Sequence, residues 1–218
     1  CMNIPVVEKI LRKNEQAARQ NRACFDSHGL TCVNILGGAG CGKTSLLEAV
    51  LPSLRDALRI GVLEGDLATT RDAERIAALQ IPVVQILTGG GCHLTATLVD
   101  AGLQHLDLAS LDLLVIENVG NPICPANFDL GEHLRLAVLS VTEGHDKPAK
   151  YPLLFKDTSL VVLTKCDLLP HTDVDVRAAE GDLRRLRPEL EILSTSARTG
   201  SGIDALAAWL RAHIRRSA

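Results

Sequence analysis

The sequence predicts a three-layer α/β fold: a mostly parallel sheet with helices on both faces, plus an N-terminal helix. Three observations carry this. Short apolar runs alternate with helical patterns along the chain. A glycine-rich segment, GGAGCGKT at 37–44, lies between the first apolar run and a helix. The length of 218 residues fits one α/β domain and is short for two. Near-continuous apolar strands belong to sheets buried on both faces, and parallel sheets are of that kind. The expected division is an N-terminal helix over 1–28, packing on one α/β domain over 29–218.

Residues 3–25 read as an amphipathic helix, with Ile4, Val7, Ile10 and Leu11 at helical spacing and a polar second half. A β-type run at 31–36 follows, then the glycine-rich turn and a helix over about 43–58. Further strands are expected at 59–64, 82–87, 112–117, 134–141, 159–164 and 190–194. Helices fit 70–79, 93–106, 174–187 and 203–215. The stretches 118–131 and 143–157 read as long loops, and loops of that length in a compact domain are usually functional.

Composition narrows the function. Hydrophobic residues make up 46% of the chain and aromatics 2%, so Leu, Val, Ile and Ala must build the core. Few aromatics argue against a base-stacking surface for single strands. A net charge of -3, from 23 basic and 26 acidic residues, supplies no field to attract nucleic acid or a membrane. No apolar run approaches the roughly 18 residues of a membrane span. The charged N-terminus lacks the apolar centre of a signal peptide, so the expected location is cytoplasmic. Cys1 precedes Met2, which reads as a junction or a processed end and is given no function. The seven cysteines include no CxxC pair, so any metal site must join distant parts of the chain. Cys24, Cys32 and Cys166 are expected as buried strand or helix residues, and the histidines at 28, 105, 133, 145, 171 and 213 as surface residues.

GGAGCGKT matches G-x-x-x-x-G-K-[ST] between a strand and a helix, the context a phosphate-binding P-loop requires. Gly37, Gly40 and Gly42, with Gly38, Ala39, Cys41 and Ser45 beside them, let backbone N–H groups turn toward phosphates. The helix N-terminus adds a positive dipole end. Lys43 is expected to reach the β- and γ-phosphates, and the Thr44 hydroxyl to ligate Mg²⁺. Asp66 and Glu117 lie at or just past strand ends, where carboxylates converge on the nucleotide crevice, and complete the expected Mg²⁺ set. Glu117-Asn-Val-Gly120 has the shape of a D-x-x-G switch with Glu for Asp, its Gly120 amide sensing the γ-phosphate. Cys41 is expected to be too crowded by nucleotide to bind metal.

TKCD at 164–167 occupies the place of the N-K-x-D element that reads guanine. Asp167 would accept from the guanine N1–H and exocyclic amine, a donor pair adenine lacks, with the Lys165 stem along the ring. Thr164 replaces the usual Asn and is expected to weaken one support of this loop. STSA at 194–197 fits the second base-contacting loop, with Ser196 and the Ala197 amide near guanine O6. The ordered series favours GTP and GDP over adenine nucleotides.

Two further stretches, TGGGCHLTA at 88–96 and ENVGNPICPANFDLGE at 117–132, closely resemble HypB proteins of the SIMIBI class of P-loop GTPases. So do VLSVTEGHDKPAKYP at 138–152, the EGD–TTRDAERI segment at 64–76 and NEQAARQNR at 14–22, so the resemblance spans nearly the whole chain. It implies a P-loop NTPase fold and a GTP-dependent homodimer with a Ni²⁺ or Zn²⁺ site at the subunit interface. Positions matching Cys92, His93 and Cys124 would line that site. It further implies assistance to nickel insertion into [NiFe] hydrogenase, with maturation proteins and the hydrogenase large subunit as partners. Thiolate and imidazole suit either metal on chemical grounds, and a few ligands per chain suffice if a partner chain supplies the rest. Cys124 follows Gly120 closely, so nucleotide state can move a metal ligand. Unlike some HypB proteins, the sequence as given shows no C-x-x-C-G-C element and no His-rich tract, so no separate nickel store is expected within it.

The resulting expectation is a GTP hydrolase used as a switch, with slow turnover because no arginine finger or catalytic Gln is evident. The alternatives are a urease-type or other metal-cofactor maturation GTPase of the same class, a small-molecule P-loop kinase, and a non-enzymatic nickel store. TKCD opposes the kinase reading, and the rarity of Cys/His clusters opposes the store.

Overall fold

The computed structural model describes residues 6–214. Helix α1 (Val6–Ser27) leads into β1 (Thr31–Gly37) and then α2 (Lys43–Arg55). Next come β2 (Ile60–Asp66), α3 (Arg71–Ala77), β3 (Val83–Leu87), α4 (Ala96–Leu103) and β4 (Leu113–Glu117). The second half runs β5 (Leu134–Ser140), α5 (Lys147–Lys150), α6 (Pro152–Lys156), β6 (Leu160–Thr164), α7 (Val176–Leu186), β7 (Glu191–Ser194) and α8 (Ile203–His213). The expected elements are therefore present, and Ile4 lies outside the described residues.

All seven strands are parallel, in the order β3-β2-β4-β1-β5-β6-β7. After β1 the chain moves outward to β2 and β3, returns for β4 beside β1, then builds the other half through β5 to β7. Such a reversal opens a crevice at the carboxyl ends of the central strands. Strand alternation sorts β1: Val33 and Ile35 join the core under α2 and α8, whereas Cys32 and Leu36 face the opposite layer. Leu47, Val50, Leu51, Leu206 and Leu210 fill the first face. Phe25, Val99 and Leu103 fill one part of the second, and Phe155 and Leu183 the other.

Helix ends shift by a few residues from expectation, and three differences bear on the site. Strand β2 runs on to Asp66, because pairing with β3 continues through Asp66↔Leu87. Helix α4 begins at Ala96 rather than 93, because the Thr95 hydroxyl accepts from the Leu98 amide and caps it there. Residues 92–94 are thereby left as a turn. The stretch 143–157 is largely helical: prolines stand at the starts of α5 and α6, where a missing N–H costs nothing, and Leu154 and Phe155 anchor the segment.

Helix α1 docks through buried amides. The Asn21 side-chain amide donates to the Ala96 and Leu130 carbonyls, 2.9 Å each, and Asn14 bridges the Asp129 carbonyl and the Ala96 amide. Asn21→Ala would remove two buried hydrogen bonds that tie α1 to the domain, at a cost of about 1–3 kcal/mol. We expect its urea midpoint to fall accordingly; an unchanged midpoint would show that water replaces both bonds.

Candidate nucleotide and metal site

The phosphate loop spans the exit of β1 and the start of α2. Gly42, with φ 95°, caps the helix in a left-handed conformation that a Cβ would strain. The N-terminus of α2 opens on a crevice of about 400 Å³, where helix-end amides can meet an anion. Lys43 and Thr44 follow it, each 7% exposed. In β4, Glu117 receives the Thr44 hydroxyl at 2.9 Å and stands 3.9 Å from the Lys43 ammonium. Gly120 lies against the loop itself, since a Cβ there would come within 2.9 Å of Ala39 Cα.

A second buried acid meets Glu117. Register pairs Glu64 of β2 with it directly, and the two carboxyl groups share a hydrogen bond. Burial first, then the neighbouring Glu117, pushes the Glu64 carboxyl far above the ordinary range. Burial also raises Glu117, opposed by Lys43, the Thr44 hydroxyl and Glu64. The hydrogen bond between the two raises Glu64 and lowers Glu117, so the shared proton lies toward Glu64, with Glu117 facing Lys43 and Thr44. One Oε2 on each acid is buried without a hydrogen-bond partner. Such orphaned oxygens beside a hydroxyl form a hard donor set that suits Mg²⁺. Asp66, at the end of β2, lines the same crevice. Burial works against its ionisation, but bonds from the Ala68 and Thr69 amides outweigh this and hold its carboxyl low. Sequence reasoning passed over Glu64, although an acid inside an otherwise apolar, doubly covered strand is itself a signal. It also passed over Arg75, which joins Ser45, Glu48 and Asp72 at the crevice edge.

Beside this crevice a cavity of about 510 Å³ is lined by Thr164, Lys165, Asp167, Ala197 and Arg198. Lys165 adopts φ 58° and donates to the Gly40 carbonyl at 2.7 Å. Thr164 does not weaken the loop as expected; its hydroxyl donates to the Cys41 carbonyl at 2.6 Å and ties the two loops together. Asp167 accepts from Ser196 Oγ at 2.6 Å, and its other oxygen forms an ion pair with Arg198 Nε at 3.2 Å. Arg198 gave no signal in the sequence beyond its position after the STSA segment.

Three ligand-type atoms converge from separate loops. One from each of Cys92, His93 and Cys124 lie mutually within 4.8 Å. Cys92 Sγ is 3.5 Å from His93 Nδ1, and the His93 ring stacks on Phe128 at 3.9 Å between centroids. A hydrogen bond to Cys124 raises the Cys92 thiol, and burial lowers His93, which favours the neutral imidazole a metal needs. Some other assignments change. Cys24 and Cys166 are only partly buried, whereas Cys32 is fully so. His133 is not a surface residue: its side chain is 7% exposed, accepts from the Cys32 amide and meets Asp26. Cys41 is withdrawn from any metal by the core under the loop, rather than by crowding from nucleotide.

The crevice and loop define a P-loop nucleotide-binding protein that also carries a thiolate–imidazole cluster. Residues 31–194 match the family described as CobW/HypB/UreG, nucleotide-binding domain. The chain is 47% identical to the hydrogenase maturation factor HypB of Azotobacter vinelandii, over 94% of this chain and 68% of that one. Solved structures agree. HypB from Archaeoglobus fulgidus has a TM-score of 0.86 at 36% identity, covering 93% and 98% of the two chains. HypB from Helicobacter pylori in complex with nickel has a TM-score of 0.88 at 32% identity, covering 94% and 99%. The chain belongs to the HypB family.

Burial, more than the opposing Lys43 charge, pushes the Cys41 thiol up to about 11. Thiolate fraction then grows with pH only well above neutrality, and at pH 8 it is about a thousandth. Cys41 should stay unlabelled by maleimide at pH 8 while Cys92 and Cys124 react, as read by peptide mass spectrometry. Equal labelling would mean that the loop opens in solution.

Proposed function

We propose that this chain is a GTP-hydrolysing metallochaperone that holds Ni²⁺, or Zn²⁺, at Cys92, His93 and Cys124 and assists nickel insertion into [NiFe] hydrogenase. The observation that carries this is the convergence of those three ligands, with Cys124 on the loop that leaves the nucleotide crevice at Gly120. The names of the relatives and the nickel complex of one of them support it.

In this reading Lys43 holds the β- and γ-phosphates, and the amides from Gly37 to Ser45 surround them. Thr44, Glu117 and Asp66 would hold Mg²⁺, which would supply charge neutralisation to the phosphates. Gly120 reports the γ-phosphate through its amide. Asp167 reads guanine after exchanging the Arg198 contact for the base, with Lys165 along the ring and Thr164, Ser196 and Ala197 shaping the pocket. Turnover is slow. The metal is cargo, and its site is completed between two subunits when GTP closes a homodimer. Hydrolysis then passes the metal to hydrogenase maturation proteins and the hydrogenase large subunit, in the cytoplasm.

Base choice tests the nucleotide half. Asp167→Asn should lose its preference for GTP and bind xanthine nucleotide, whose C2 carbonyl meets the amide donor. Competition by ATP as strong as that by GTP in the unaltered protein would refute guanine readout.

The chaperone half makes a different demand. Cys92→Ala and Cys124→Ala should each abolish tight Ni²⁺ binding. GDP and GTP-analogue forms of the unaltered protein should differ about 5- to 150-fold in metal affinity. Equal affinities in isothermal titration would leave a nucleotidase that merely binds metal.

A further inference from the structure

Beneath the metal loop lies a chain of buried amides and one carboxylate that the proposed chemistry does not use. Asn118 follows Glu117 directly and is 1% exposed. Its Oδ1 accepts from two backbone amides, Leu94 at 3.2 Å and Val119 at 3.0 Å. Two donors on one side fix that face as the oxygen, and Nδ2 donates to Asn34 Oδ1 at 3.4 Å. Asn34 passes the network to Glu132 at 3.1 Å, and both are buried. Glu132 in turn holds Arg135, whose Nη2 donates to the Phe128 carbonyl at 3.0 Å.

The two ends of this chain reach residues that flank His93. Leu94 is its sequence neighbour, and Phe128 is the ring stacked on it. Packing adds a second hold on Leu94. It is fully buried and so close to β2 that a Cβ on Gly65 would come within 2.8 Å of it. Gly65 stands between Glu64 and Asp66, and Asn118 stands after Glu117. The residue beside a metal ligand thus touches both strands whose acids face the phosphates. Cys124 is reached separately, because its amide and that of Ile123 bond Asn121 Oδ1, and Asn121 bridges Gly37 at the exit of β1.

We infer that Asn118 is a positioning residue for the metal site, transmitting movement of the Glu117–Gly120 segment to His93 and Cys92 through the Leu94 amide. The inference rests on the function proposed above and names the route by which nucleotide state reaches the metal. A buried side chain that bonds backbone from two loops moves one when the other moves, because breaking the contact strands an amide in a dry interior. Asn118 borders the nucleotide crevice, but its side chain bonds Leu94, Val119 and Asn34 and none of the proposed ligands of phosphate or metal, so its effect is on coupling.

The experiment measures the ratio of Ni²⁺ affinities between the GDP and GTP-analogue forms, together with the thiolate-to-nickel absorption band in each. In the unaltered protein the ratio and the band differ between the forms. Asn118→Ala should bring the ratio to within about twofold of one and make the two bands coincide, while each form still binds Ni²⁺. Asn118→Asp keeps an acceptor for both amides and should retain the difference. If Asn118→Ala does not fold, as judged by circular dichroism, Asn34→Ala removes the rear support of the amide and should reduce the ratio instead. An unaltered ratio in the variant that folds overturns the inference, even if both affinities fall together, because that pattern marks a merely structural amide. A ratio of one in the unaltered protein would overturn the proposed switch itself and the inference with it.

Discussion

Parallel pairing of β1 with β4, and of β4 with β2, is the constraint on which the site depends. The register sets Ile35 beside Glu117 and Glu117 beside Glu64. Because all strands point one way, their carboxyl ends stop along one edge and the loops that follow share one crevice. A slip of one residue would turn Glu117 from the crevice to the opposite face of the sheet. It would also part Gly120 from Ala39. The apolar residues on both sides of these strands hold the register, since any shift would expose Val33, Val115 or Leu114.

Within that frame the unbound crevice is electrostatically unsettled. Two acids and one lysine share a nearly dry space, and charge there is tolerated only where it is paired. Glu117 has Lys43 and Thr44, whereas Glu64 has its neighbour and a proton. A hard dication would meet the orphaned oxygens that the protein itself does not satisfy. The fold thus stores a polar deficit at the position where a nucleotide and its cation would remove it.

The metal cluster arises differently. Thr95 ends the turn containing Cys92 and His93 by starting α4 late, and a 3₁₀ turn at Pro125–Asn127 carries the chain on from Cys124. Neither loop has much regular structure, so their mutual position is fixed by side-chain contacts, half-buried at His93 and Phe128 and fully buried at Asn118 and Leu94. His93 against Phe128 and Asn118 against Leu94 are the contacts that do this. Thiol and imidazole groups on irregular backbone can adjust their geometry, while the carboxylates of the crevice beside them rest on strands.

The sequence by itself determined the order of strands and helices, the phosphate loop and the TKCD segment. Each of these is local: apolar runs fix strands, glycines fix turns, and spacing fixes which groups follow a strand. The resemblance carried by CHL, NPICP and their neighbours named the ligand trio, but spacing alone could not bring Cys124 to Cys92. Only the tertiary structure decided that Glu64 faces Glu117, that Arg198 pairs with Asp167, and that His133 lies buried between Cys32 and Asp26. These are long-range contacts set by strand register and loop packing. They depend on which surfaces are covered by elements far away in the chain, and no local pattern of residue types records that.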